Sequence, residues 1–223
     1  MPEAIGEVLP LAVGIAISPI PIIAAILMLL SPHARSTSVG FLIGWVLGIV
    51  VAVVVFTLLS GLIPAEDPDA SKPIAGVIKV VLGVLLLLLA LRQWRSRPRA
   101  GETAALPKWM DAIDDMTATR GLVLGFLLAA VNPKNLLLAA SAGVAIGTAG
   151  LSVGSAVVVI VVFTLVAAIS VLIPVVGYLV AASTFTKPLD SLRGWLVAHN
   201  VAVMSVLLLV IGVVMIGKGI AAF

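Results

Sequence analysis

The sequence predicts an all-α integral membrane protein with six transmembrane helices. Three observations predict it. Hydrophobic residues make up 62% of the 223 positions and charged residues only 10%, which leaves too little polar surface for a soluble domain. Six apolar stretches, 8–30, 39–63, 74–91, 121–145, 153–176 and 196–216, are of a length to cross a bilayer as helices. Glycine is abundant (20 residues), which suits helices that approach closely through small side chains.

The first stretch is a retained helix. The residues before it carry Glu3 and Glu7 and no basic residue, the reverse of a signal peptide, and the run is too long for a signal core. Ser18-Pro19-Ile20-Pro21 falls at its midpoint, where the two prolines are expected to free the carbonyls of Ile15 and Ile17. Ser31-Pro32-His33 closes it. In the second stretch Gly40, Gly44 and Gly48 repeat every four residues on one face, a spacing for close packing. Pro64 and an acidic Glu66-Asp67-Pro68-Asp69 loop follow, and Lys72-Pro73 opens the third stretch.

The linker 92–120 begins with Arg92, Arg95, Arg97 and Arg99. After Pro107, Trp109, Ile113 and Met116 share one helical face while Asp111, Asp114 and Asp115 point elsewhere, a pattern for a helix lying on the membrane interface. The fourth stretch is broken at its midpoint by Asn132-Pro133-Lys134-Asn135, and Ala139, Gly143 and Gly147 line one face beyond the break. Glycines at 147 and 150 separate it from the fifth stretch, which continues past Pro174 to about Ala182.

Lys134 is the residue around which function is expected to turn. A lysine at the bilayer centre costs roughly 2.5–3.5 kcal/mol and therefore faces a bundle interior or a wet cavity. Pro133 deprives the Ala129 carbonyl of its helical donor, and in lipid that group needs another. All ten acidic residues map to termini or connections. Lys134 is thus neutral, solvated, bonded to freed carbonyls, or matched by an anion that comes and goes.

The chain also repeats itself. Val54-Val55-Phe56-Thr57-Leu58 recurs as Val161-Val162-Phe163-Thr164-Leu165, each followed by an Ile-Pro, at 63–64 and at 173–174. Lys72-Pro73 recurs as Lys187-Pro188, and the proline breaks fall in stretches one and four. These landmarks divide the chain into two three-helix halves, 1–91 and 121–223, joined by the basic linker 92–120. Three is odd, so the second half enters from the opposite face, the inverted repeat of many secondary transporters. With six spans, nine basic residues fall on the linker side and two, Lys72 and Lys218, on the other, with Lys79 and Lys134 inside helices. This predicts a cytoplasmic linker and both termini outside.

Several function classes are excluded or disfavoured. With no cysteine there is no disulfide, thiolate metal site or thiol-electron relay. No clustered nucleophile, base or metal set points to an enzyme, and no cofactor or nucleic-acid partner is expected. The candidate substrate-binding set is Asn132, Pro133, Lys134 and Asn135 with Ser18, Pro19 and Pro21. Thr57, Thr164 and Ser141 are hydroxyls that can satisfy broken backbone or touch a substrate.

One group of residues resembles a known family. Pro107-Lys108-Trp109-Met110, Ile113-Asp114, Gly125, Asn132-Pro133-Lys134-Asn135-Leu136, Ala139-Ala140 and Ala142-Gly143 are similar to the GAP or Sap family, the addressing proteins for glycopeptidolipid and sulfolipid, within the lysine-exporter (LysE) superfamily. The superfamily's first-helix pattern is usually Pro-Gly-Pro, and here Ile20 holds the middle position. The resemblance implies export through a bacterial inner membrane: small solutes for the superfamily, glycolipids of the mycobacterial envelope for the family. The expected function is therefore export of a glycolipid or a small anionic or zwitterionic solute at the broken helices. The alternative is an accessory scaffold for a large lipid exporter. A second copy of the chain is the other partner consistent with this reading, beside the bilayer itself.

Overall fold

The computed structural model describes residues 1–61, 73–96, 113 and 116–223, leaving aside the side chains of 183–187. The acidic loop at 66–69, the Ile63-Pro64 and Lys72 landmarks, and most of the interfacial pattern (Trp109, Asp111, Asp114, Asp115) lie outside the described residues, as does the side chain of Lys187. Of that pattern, Ile113 is buried and Met116 packs against the core.

The regular structure of the described residues is α-helical. Pro19 and Pro133 do what proline does best in a helix, which is to start one, since the first position needs no amide hydrogen. Each therefore splits an apolar run into two short helices. The first run becomes α1, Pro2–Ala16, and α2, Pro19–Leu30, bent by 51°. The fourth becomes α5, Ala118–Ala130, and α6, Pro133–Gly147, bent by 61°. Between them stand α3, Ala34–Ser60, and α4, Pro73–Arg95. The last helical stretch, Val153–Ile220, is interrupted at Ala181 (φ −146°, ψ 60°), giving α7, Val153–Ala182, and α8, Pro188–Ile220. Four helices can cross a membrane by length and apolarity, and with each bent pair counted as one span there are six.

Several boundaries differ from the sequence expectation, two of them by enough to need a reason. α3 starts at Ala34 rather than 39, because the hydroxyls of Ser36 and Thr37 both bond back to the His33 carbonyl and make a polar first turn compatible with helix. α7 runs to Ala182, where the sequence puts the end of the fifth stretch, and α8 starts at Pro188 rather than 196, polar residues at the membrane edge again being helical.

Glycine decides which helices touch. Gly40 and Gly44 of α3 lie against the carbonyls of Ala118 and Leu122, and a Cβ on Gly48 would stand 2.6 Å from that of Ala129. Gly121 and Gly125 of α5 reciprocate against the Thr37 and Phe41 carbonyls. Farther along, Gly143 and Gly147 of α6 lie against Phe56, Thr57 and Ser60, so α3 follows the second broken span through its bend. A second seam joins α4 to α8 in antiparallel fashion. Gly76 faces Gly219, and Gly83 faces Gly212, in each case with a carbonyl 2.8 Å from where a Cβ would be.

The core lies between the two broken spans and their neighbours. Val8, Leu11 and Ile15 of α1, Ile23 and Met28 of α2, Phe41 and Trp45 of α3, Leu138 and Ile146 of α6, and Phe163 and Val171 of α7 are buried. The opposite faces are apolar too. Ile43, Leu47, Val51 and Val55 form an exposed stripe on α3, which in a bilayer is the surface that meets lipid. Trp94 near the end of α4 and Trp195 near the start of α8 are exposed at the level of Arg92 and Arg193, as expected of aromatic residues at an interface.

Candidate functional site

A helix that stops inside a membrane leaves carbonyls without donors, and the two breaks solve this in related ways. At the first break the Ser18 amide turns back to the Ile15 carbonyl (3.1 Å), so the carbonyl it would have served in a continuing helix, that of Gly14, is released. At the second, the residue in the position of Ser18 is Asn132 and the one in the position of Gly14 is Leu128. The Leu128 carbonyl accepts from Asn135 Nδ2 at 2.9 Å. The Gly14 carbonyl accepts from Lys134 Nζ at 2.8 Å. Both released carbonyls are thus satisfied from the first turn of α6, one within the break and one across to the other.

The acceptors that Lys134 and Asn135 take lie one residue before Ile15 and Ala129, two of those the sequence pointed to. Ile15 and Ile17 were expected to be exposed by the prolines, and Ala129 by Pro133. The helix ends before the proline acts, so the carbonyl that Lys134 takes is Gly14's, and Asn135 takes Leu128's.

Local sequence holds Lys134 in place. Asn132 caps α6, its side chain accepting from the Lys134 amide at 3.1 Å. The Lys134 side chain is 7% exposed and Asn135 is fully buried, with its Oδ1 unpartnered among the described residues. The negative end of α1 points at the lysine Nζ through the Gly14 carbonyl, a favourable site for a cation.

Beside this bond lies a cavity of about 390 Å³, lined by Ser18, Pro19 and Ile20 from the first break and Asn132, Pro133 and Lys134 from the second. Its other wall comes from Leu89, Arg92, Gln93 and Ser96 at the end of α4, and Asn200, Met204 and Leu208 of α8. Asn200 Oδ1 is buried without a partner among the described residues. Two cations, three amides and two hydroxyls line the space, and no carboxylate is among the described lining residues. Such a lining accepts an oxyanion, with Lys134 and Arg92 supplying charge and the amides hydrogen bonds. A largely apolar groove of about 630 Å³ runs along the neighbouring faces of α1 and α8, where Val13, Ile17, Val203 and Leu207 line it. Ile17 faces the groove and Ser18 the cavity.

Not every candidate joins the cavity. Pro21 is buried within α2. Thr57 and Ser141 spend their hydroxyls on carbonyls of their own helices, Val53 and Leu137, and Thr164 is buried with its hydroxyl unpartnered among the described residues. Sequence reasoning missed Arg92, Gln93, Ser96 and Asn200 as lining residues, having treated the first chiefly as an orientation signal and second as a contact for anionic lipid headgroups. It also treated Glu7 as part of a terminus, whereas Glu7 lies inside α1 and pairs with Lys79 of α4 at 2.7 Å.

The broken spans, the buried lysine between them and the lipid-facing stripes define a multi-pass helical membrane protein with a polar, cationic cavity at its core. The chain belongs to the family described as Sap, sulfolipid-1-addressing protein, whose model matches residues 8–221. No curated protein and no solved structure matches it.

Proposed function

We propose that the protein is an export carrier for an anionic lipid, binding the charged headgroup in the cavity at the helix breaks while the acyl portion lies in the apolar groove. The observation that carries this reading is the pairing of Lys134 and Arg92 around a cavity that has no carboxylate among its described lining residues. A sulfate ester keeps its negative charge at neutral pH, so the family's sulfolipid description fits such a lining. Ile17 and Ser18, adjacent in sequence, divide groove from cavity, an arrangement that suits an amphiphile whose two parts lie side by side.

In this reading the halves 1–91 and 121–223 are inverted repeats, each opening with a broken span, and substrate binds where the breaks meet. The linker 92–120 lies in the cytoplasm and both termini outside the inner membrane, in keeping with the basic asymmetry and with Trp94 and Trp195 on the linker side. The cavity, which reaches Arg92 and Ser96, then opens to the cytoplasm, the side from which an exporter loads. The chain acts by binding and translocation, with no reaction on the substrate.

The test is reconstitution. Purified protein in liposomes is expected to move a sulfated glycolipid across the bilayer faster than its desulfated counterpart, and mass spectrometry of the purified protein is expected to find anionic lipid retained. Equal rates for both lipids would overturn the anion assignment. Absence of flux together with co-purification of a large exporter would replace the carrier by an accessory scaffold.

A further inference from the structure

We propose that Glu7 and Lys79 form the outer gate of the substrate path, latching α1 across the end of the molecule opposite the linker. The proposal builds on the carrier reading, and its test does not depend on transport.

Lys79 Nζ lies 2.7 Å from Glu7 Oε1, and both side chains are largely shielded. The pair stands in a second hollow of about 220 Å³, lined also by Glu3, Thr148 and Leu151, near the start of α4. The main cavity reaches the other end of α4 at Arg92. At 1.5 Å per residue, Lys79 and Arg92 are about 20 Å apart along the helix. Between the hollows the path is filled. Val8, Leu11, Ala12 and Ile15 of α1 are each at most 2% exposed and belong to one core with Leu138, Ala142 and Ile146 of α6. Substrate in the cavity can leave toward the linker but not toward the far side.

The plug is fastened at both ends, and on one face. Glu7 and Gly14 are two helical turns apart on α1, and each is held by a lysine from another helix, Lys79 of α4 and Lys134 of α6. Leu11 sits between the two ties. The far ends of these ties differ from their counterparts on the linker side. The register that sets Ser18-Pro19 on Asn132-Pro133 sets Glu7 on Gly121, and the one that sets Lys72-Pro73 on Lys187-Pro188 sets Lys79 on Gly194. Neither glycine has a charge to offer, and the neighbouring Arg193 pairs with Asp190 of its own helix, at 3.7 Å. A latch therefore stands at the closed end, and among the described residues it has no counterpart at the open one.

The Ile17-Ser18 break, already bent, is the hinge about which α1 can swing. An oxyanion arriving beside Lys134 competes with the Gly14 carbonyl, and a full charge is the stronger partner for an ammonium. That loosens the inner tie and leaves Glu7–Lys79 as the outer restraint.

The experiment places a cysteine at Leu11 in this cysteine-free chain, in nanodiscs, and measures its labelling by a polar maleimide. Leu11→Cys alone is expected to label slowly. Adding Glu7→Gln or Lys79→Met is expected to raise the rate about 5- to 150-fold, the range of ordinary coupling energies. The reversed pair, Glu7→Lys with Lys79→Glu, is expected to restore slow labelling. An unchanged rate in Glu7→Gln overturns the gate, as does a reversed pair that labels as fast as the single variants. A control cysteine at Ile49, buried in α3, is expected to stay unlabelled throughout, and its labelling in Glu7→Gln would show general loosening and overturn the gate as well. Labelling reads the plug directly, so a failure of lipid flux would sink the carrier reading while leaving the gate result standing.

Discussion

Replacing Lys134 by methionine separates binding from architecture. The perturbation removes the donor that satisfies the Gly14 carbonyl at 2.8 Å and keeps nearly the same side-chain shape. A buried carbonyl left bare costs about 1–3 kcal/mol. Against this, the variant no longer carries a lysine to mid-membrane, which is worth about 2.5–3.5 kcal/mol on the insertion scale. The two terms nearly cancel, with a balance of about 0–2 kcal/mol in favour of methionine. For a chain of this size each kcal/mol moves the melting temperature by about 2–4 °C, so Lys134→Met is expected to melt within a few degrees of the parent or slightly above it. Flux of an anionic lipid in liposomes is expected to vanish. Lys134→Arg keeps a donor and a charge, but its planar guanidinium does not fit the single-point contact with Gly14 and is expected to restore little flux. A methionine variant that transports normally would refute the role of Lys134, and one that unfolds with activity and stability both rescued by arginine would make the lysine a tie for broken backbone and nothing more.

Two further outcomes are expected. Gly44→Ala forces a Cβ onto the Leu122 carbonyl, and rigid backbone cannot yield as a side-chain tip can, so a loss of about 1–3 kcal/mol or more is expected in detergent melting. Gly154→Ala, with open space at its Cβ, is expected to be neutral or to gain up to about 1 kcal/mol from helix propensity, and equal effects at the two sites would refute the seam between α3 and α5. In intact cells a cysteine at Ser96 is expected to resist an impermeant thiol reagent while one at Glu3 reacts, and the opposite pattern would invert the orientation.

The breaks, the lysine between them and the close face of α3 were legible in the sequence, because proline and lysine inside an apolar run are expensive anomalies and glycine every four residues is a local pattern. The choice of acceptor was not. Pro19 states which amide is missing, but the carbonyl that goes bare depends on where α1 stops, and it stops short enough for Ser18 to reach Ile15. The α4–α8 seam was missed because its glycines, Gly76 with Gly83 and Gly212 with Gly219, are spaced by seven and acquire meaning only when the two helices run antiparallel. Asn200, Arg92 and the Glu7–Lys79 pair were hidden for the same reason. Each is an unremarkable polar residue until a distant helix places it beside a partner, and no periodicity along the chain records that.

The bond from Lys134 to Gly14 joins residues 120 apart in sequence, and this sets a schedule for biogenesis. At synthesis rates of about 5–20 residues per second, the first broken span emerges about 6–24 s before its lysine exists. Through that interval the bent break, with the Ser18 amide turned back to Ile15, leaves the Gly14 carbonyl no donor within its own span. Lipid offers it none, so the break must remain in contact with water, at the insertion machinery or at the membrane surface, until the fourth span arrives and carries the missing donor in with it.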